Sequence, residues 1–377
     1  MGSLFNIQWL KMNEKKWLLA IIIFSILLRL FFLTDVPNRT DEREVFIWID
    51  DSARSLVEPY PPGFNFFVKT IFSVTESVFW TRFVLVLFSS FAIIFAFLVA
   101  KKMFNSETGL WAASLLAISP AFIVYSTHLR AYALLMTIFL ITTFFLLKLL
   151  EEKKHRIWQI GLAFFYALGF WFHYYAALFI LVHGILLLFY FRHKLLNWLI
   201  PVFFAGLLAL PLVPLLLIQL PIAQSNAAGY AFAPLSIQGF LNLAATFLFL
   251  FIPLSKAFFL SDFWITIFVT IFFALIFSVF CFGLISLIKS KNSKLVWLTF
   301  GMFIFLGIGF LLQKIHFWAR YVSPSLGFWM IALAYGITRQ KIISPRFLGY
   351  AIILGFLMVD ALLFLLISSG QFGLVYY

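Results

Sequence analysis

The sequence predicts an all-α protein that crosses a membrane many times, and three observations carry that prediction. The mean hydropathy of the 377-residue chain is +1.06, with 64% hydrophobic and only 11% charged residues. Apolar runs close to the ~20 residues that span ~30 Å of hydrocarbon recur from one end to the other. The ten-residue alternation of a barrel strand is absent, which leaves helices as the way to satisfy the backbone in lipid.

Hydropathy places eleven spans, at roughly 17–34, 80–100, 108–126, 131–149, 157–172, 175–191, 196–218, 263–288, 295–312, 321–337 and 348–368. Lys15 and Lys16 precede the first span, but no small-x-small cleavage site follows it, so this helix is expected to be retained. Met1-Gly2 is followed by Asn6 where a myristoylation signal wants Ser or Thr. Between the spans, alternate loops carry "KMNEKK", "KK", "KLLEEKKHR", "FRHK", "KSKNSK" and "TRQKIISPR", which together hold 17 of the 27 Lys and Arg residues. The opposite set holds nine: Arg39, Arg43, Arg54, Lys69, Arg82, Arg130, Lys256, Lys314 and Arg320, with Arg29 inside the first span. The positive-inside rule therefore sets the N-terminus in the cytoplasm and the C-terminus outside.

The net charge of +13 is thus a topology signal, and a nucleic-acid partner is not implied. The stretch "GFLNLAATFLFLFIPL", 239–254, is apolar enough to pass for a twelfth span. Counting it would reverse the charge bias of everything beyond it, so 219–261 reads as an external loop with a re-entrant or interfacial helix. The single cysteine, Cys281, excludes an intramolecular disulfide. Internal repeats are not apparent and no soluble domain follows the last span. The expectation is one membrane domain over 1–377.

The acids are not spread evenly. Seven of the 14 (Asp35, Asp41, Glu42, Glu44, Asp50, Asp51 and Glu58) fall within 34–64, between the first two spans and in the first external loop, 35–79. Within it Val45, Ile49, Ala53 and Leu56 recur at helical spacing, with Asp50, Asp51 and Arg54 on another face. That pattern predicts an amphipathic helix over 45–57 lying along the interface. Pro61 and Pro62 then break the helix, and "GFNFFVKTIFSV" opens a second short apolar segment.

An acidic "TDERE" after the first helix, followed about 17 residues later by "PYPP", resembles the polyprenyl-phosphate-sugar-dependent glycosyltransferases of the GT-C superfamily. The nearest relatives by motif are the protein O-mannosyltransferases and the lipid A aminoarabinose transferases. "SPAFIVYSTHLRAYALL", "HYYAALFILVHGILLL" and "RYVSPSLGFW" add to the likeness, which covers about residues 15–340. The resemblance implies a GT-C fold with about eleven spans and two interfacial helices in the first external loop. It further implies transfer of a sugar, with inversion, from a polyprenyl-phosphate carrier to a hydroxyl acceptor at the outer face of the plasma (inner) membrane. The acceptor is a lipid, a glycan or a protein.

Such a donor carries its own leaving group. The catalyst then needs one carboxylate for the acceptor's proton and cations for the departing phosphate, not the two flanking carboxylates of a glycosidase. The family's essential acid falls on Asp41, with Glu42 beside it to bind the acceptor or orient the base. Arg130 and Arg320 sit where external loops enter helices and match phosphate bidentately, and Lys314 lies close enough in sequence to share the task. Tyr60, His128, His173 and Tyr321 complete the expected substrate-binding set. Two positions depart from the pattern. The aminoarabinose transferases carry a lysine where this chain has Tyr60, and many relatives carry a glutamate where it has His128, which is then expected to donate a hydrogen bond. His128, His173 and His316 lack close ligand spacing, so no metal is assigned, and no phosphate-binding glycine loop implies a nucleotide cofactor.

Two other classes compete. A transporter or flippase of lipid-linked saccharide expects ionisable residues at mid-membrane and paired halves, whereas this chain offers Arg29 and Asp360 and no paired halves. A structural scaffold explains the hydropathy and leaves the ordered motifs without a role.

Overall fold

The computed structural model of the chain describes residues 4–33, 42, 45–46, 60–151, 156–229, 251–253, 263–290, 293–311 and 319–368. Among these residues the protein is built of helices, joined by turns, and contains no strand. In chain order they are α1 (Leu4–Leu30), α2 (Gly63–Thr75), α3 (Val78–Met103), α4 (Ser106–Ala117), α5 (Pro120–Thr127), α6 (Tyr132–Glu151) and α7 (Arg156–Phe172). There follow α8 (Ala177–Tyr190), α9 (Leu195–Ala209), α10 (Val213–Gly229), α11 (Phe263–Lys289), α12 (Ser293–Leu311), α13 (Ala319–Val322), α14 (Leu326–Arg339) and α15 (Pro345–Ser368).

Every apolar stretch marked as a span is helical. Among the described residues, Val78–Met103, Tyr132–Glu151, Arg192–Ile222, Ile267–Lys289 and Pro345–Ser368 are each long and apolar enough to cross a bilayer. A sixth joins them if α4 and α5, which meet at 57°, are one broken span. This is an integral membrane protein.

The bundle is organised around α14, in which every residue from Leu326 to Ile337 is buried. A helix buried all round needs no polar face, and its sequence has none until Thr338 and Arg339. It packs on α4 and α11. The crossing with α11 is made at two glycines: a Cβ on Gly336 would meet the Val279 carbonyl oxygen at 2.4 Å, and one on Gly283 would meet that of Ala332 at 2.5 Å. In a membrane, where lipid tails compete with apolar side chains, such close backbone approach is what holds two helices together.

Pro120 at the first position of α5 forces the break after α4 and frees the Ala117 carbonyl. In lipid that group needs a donor. Arg29 Nη1 supplies one at 2.8 Å and Ser25 Oγ another at 3.2 Å, while Arg29 Nε donates to Ser126 Oγ at 2.8 Å. The expectation from sequence pairs Arg29 with a loop acid. Instead it staples the broken helix to α1, with Asp360 of α15 acting on it electrostatically.

The two sets of loops gather at opposite ends. Lys101 bonds Glu14, Lys102 bonds Glu151, and Tyr190 Oη meets Ser293 Oγ at 2.5 Å, contacts that involve five lysine-bearing loops at one end. Tyr60, Arg130, His173 and Tyr321 meet at the other. Residues 47–57 of the expected interfacial helix lie outside the described residues, whereas the second helix of that loop is α2. The helix expected to end at 218 continues to Gly229. Of the 239–254 segment, Phe251–Pro253 are described, and Phe251 is buried against Phe280 and Trp329.

Candidate active site

Two polar clusters occupy the Tyr60 end, and one turn of chain connects them. The first centres on Glu42, which is 0% exposed. Its Oε2 pairs with Nη2 of Arg82, also 0% exposed, at 2.6 Å, and its Oε1 accepts the Leu129 backbone N–H at 2.9 Å. His128 Nε2 stands 3.8 Å from the same oxygen. A buried carboxylate survives in such a place because a guanidinium and a backbone donor replace its water. The consequence is positional. α5 ends at Thr127, and the next residues would be a free turn if Glu42 did not hold Leu129.

That turn delivers the second cluster. Arg130, Ala131 and Tyr132, immediately after the Glu42-bound residues, form one wall of a small pocket. Tyr60, Pro61, Phe64 and Asn65 form another, and Phe172 and His173 the third. The Tyr60 segment docks through Gly63, where a Cβ would lie 2.4 Å from the Trp171 carbonyl oxygen, so a larger residue would push α2 off the end of α7. Gln219 of α10 adds a clamp: its Nε2 donates to the Tyr60 carbonyl at 3.1 Å and its Oε1 accepts from Tyr174 Oη at 2.7 Å. The turn Ser323–Ser325 packs on α6 and brings Tyr321 to 6.1 Å from Tyr132, ring to ring.

The Arg130 guanidinium lies 5.7 Å from the Tyr60 ring and that of Arg320 lies 5.4 Å from the Tyr321 ring. Both act electrostatically on His173 and on Tyr60, so the two cations converge on one volume. Burial, with the charges of Arg130 and Arg320 adding to it, pushes the His173 imidazole down to about 3. Burial, then the neighbouring Tyr321 and Tyr132, raises the Tyr60 phenol well above its usual value, against the pull of the two arginines. Among the described residues, the groups around this pocket at neutral pH are thus two guanidiniums, a neutral imidazole and neutral phenols, an arrangement suited to an anion.

Of the residues expected from sequence, Tyr60, Arg130, His173, Arg320 and Tyr321 come together, while Glu42 and His128 form the neighbouring cluster. Asp41 and Lys314 lie outside the described residues. Arg82, Tyr132 and Gln219 were not anticipated. Tyr132 stands two residues after Arg130 in the "HLRAY" motif, and Gln219 is the one polar residue within the run "VPLLLIQL", a lone amide in apolar surroundings.

Part of the sequence matches a family profile, and the fold is similar to those of solved membrane proteins. A sequence profile of the dolichyl-phosphate-mannose-protein mannosyltransferases matches residues 59–218, which carry Tyr60, Arg130 and His173. The chain is similar to the crystal structure of ArnT from Cupriavidus metallidurans in the apo state (12% identity, TM-score 0.58, covering 87% of this chain and 60% of that one). The same protein bound to undecaprenyl phosphate matches at 13% identity and a TM-score of 0.55, covering 89% and 61%. The oligosaccharyltransferase AglB from Archaeoglobus fulgidus, in complex with an inhibitory peptide and a dolichol-phosphate, matches at 12% identity and a TM-score of 0.56, covering 93% and 56%. This chain thus spans about three fifths of the length of the structures it resembles, and the likeness is one of fold. No curated protein matches the sequence itself.

Proposed function

We propose that this chain is a membrane glycosyltransferase that moves a sugar from a polyprenyl-phosphate carrier to a hydroxyl acceptor, at the outer face of the membrane and with inversion. The observation that carries the reading is that Arg130 lines the pocket beside Tyr60 and His173 while Arg320 acts electrostatically on the same two residues. The two guanidiniums hold the phosphate and take up the charge that grows on it as the glycosidic bond breaks. Asp41 removes the acceptor's proton. Its neighbour in sequence, Glu42, is locked to Arg82 and Leu129. Glu42 thereby takes the orienting one of the two roles expected of it.

Support comes also from the relatives of like fold, whose structures hold undecaprenyl phosphate and a dolichol-phosphate. The transport reading would draw on Arg29 and Asp360, but Arg29 Nε and Nη1 are engaged with Ser126, Ser25 and Ala117. The test is a transfer assay with the purified full chain, a polyprenyl-phosphate sugar and a hydroxyl acceptor. Asp41→Asn should fold and bind lipid phosphate as the wild type does while its rate falls by about 10²–10⁴, the usual worth of a general base. Wild-type turnover by this variant would take the base away from Asp41.

A further inference from the structure

We infer that His173 serves this cleft as a neutral Nε2–H donor to an oxygen of the bound phosphate, and takes no part in proton transfer. The inference rests on the lipid-phosphate reading of the pocket and assigns one of its contacts.

The backbone fixes the tautomer. His173 follows the last residue of α7, with its N–H on the Gly169 carbonyl at 2.8 Å, and caps the turn Tyr174–Ala176. In that capping position its Nδ1 accepts the Tyr175 N–H at 3.2 Å. A ring nitrogen that accepts a hydrogen bond carries no proton, so in the neutral ring the proton is on Nε2. The residue is 7% exposed, it lines the pocket, and Nε2 has no hydrogen-bond partner among the described residues.

Aromatic rings surround it: Tyr175 at 4.8 Å, Tyr60 at 5.6 Å, Tyr132 at 5.9 Å and Tyr321 at 6.3 Å between centroids. They desolvate the imidazole, and a buried donor left without an acceptor is costly. The missing acceptor must therefore arrive with the ligand. Arg130 and Arg320 both act on this ring, which favours a negatively charged acceptor at Nε2, and on the lipid-phosphate reading that acceptor is a phosphate oxygen. A phosphate monoester offers one oxygen to each of three donors.

The same geometry removes the imidazole from acid–base work. Its one lone pair is taken by the Tyr175 N–H, so it cannot act as a base. An imidazolium would break that cap and add a third positive charge beside two guanidiniums.

The experiment measures binding of a polyprenyl monophosphate in detergent micelles to the full-length protein and two variants, each first shown to unfold at the wild-type temperature. In His173→Asn the side-chain oxygen can still cap Tyr175, but the amide is too short to reach where Nε2 stood. In His173→Gln the amide nitrogen reaches that place and the cap is lost. Binding should weaken about tenfold in the Asn variant, as for a lost hydrogen bond to a charged group, and recover in the Gln variant. Nitrogen-15 spectra of histidine-labelled wild type should show a neutral Nε2–H ring at pH 6 whose signal moves when the lipid phosphate is added, a readout independent of how any variant folds.

Wild-type binding by His173→Asn, equal loss in both variants, or an imidazolium or Nδ1–H ring at pH 6 would overturn the role of His173 alone. A wild type that binds no lipid phosphate would overturn the reading of the cleft together with it.

Discussion

Glu42 and His173 are both buried polar side chains at the same end of one helical bundle, and they are satisfied in opposite ways. Glu42 has Arg82 on one oxygen and the Leu129 N–H on the other, so its polarity is consumed inside the fold. His173 uses one nitrogen to cap a turn and leaves the other facing a pocket. Residues 128–132 join the two: His128 and Leu129 belong to the Glu42 cluster, Arg130 and Tyr132 to the pocket. The closed cluster is thus the foundation and the open one the working surface. A polar group held ready for a ligand needs a neighbour whose polar groups are already committed.

The comparison breaks most sharply at Arg82. Arg82→Met leaves Glu42 buried without its cation, and stability in detergent should fall by about 3–5 kcal/mol. The double variant Arg82→Met, Glu42→Gln should recover much of that loss, because the amide oxygen still accepts from Leu129 and no buried charge remains. Thermal unfolding of the two side by side checks this, and an unperturbed single variant would show that the pair anchors nothing.

On the open side the effects should appear in binding and not in stability. Arg130→Ala and Arg320→Ala should each weaken polyprenyl-phosphate binding by roughly 1.5–3 kcal/mol, the worth of a charge-assisted hydrogen bond. Their melting temperatures should stay near wild type. Undiminished affinity in both would remove the phosphate from this cleft.

The smallest effect is one of pH. The folded protein holds His173 at about 3 against 6.5 for an ordinary histidine, so between those values the unfolded chain binds more protons than the native one. Stability from this residue is complete above pH 6.5 and is lost as the pH falls below it, by about 1 kcal/mol between pH 7 and 5.5. His173→Gln should flatten that part of the profile relative to wild type, which denaturant titrations at the two pH values would reveal. Identical slopes would place the His173 ring in water.

Much of the fold was legible because hydropathy adds up residue by residue along the chain. Within the described residues each of the eleven apolar stretches is helical, although the stretch expected as one span over 108–126 is broken at Pro120. The boundaries were less legible. α1 runs back to Leu4 through the charged residues Lys11 to Lys16, since a helix need not stop where its apolar face stops. The site was legible where a motif names an arginine or an aromatic residue, as at Tyr60, Arg130 and Tyr321. It was not legible where the role depends on a distant partner. Gln219 finds the Tyr60 carbonyl 159 positions away, and Arg29 finds the Ala117 carbonyl 88 positions away.

By itself, then, the sequence determined a polytopic helical protein, the order of its apolar segments, and the alternation of its charged loops that gathers Lys101 with Glu14 and Arg130 with Tyr60 at opposite ends. Only the tertiary structure decided that Glu42 and Arg29 are occupied within the fold while His173 keeps a donor free. The physical reason is that partition into lipid is a property of each segment, whereas satisfaction of a buried polar group is a property of pairs. Where those pairs lie 40 to 159 positions apart, as Glu42–Arg82 and Tyr60–Gln219 do, local sequence carries no record of them.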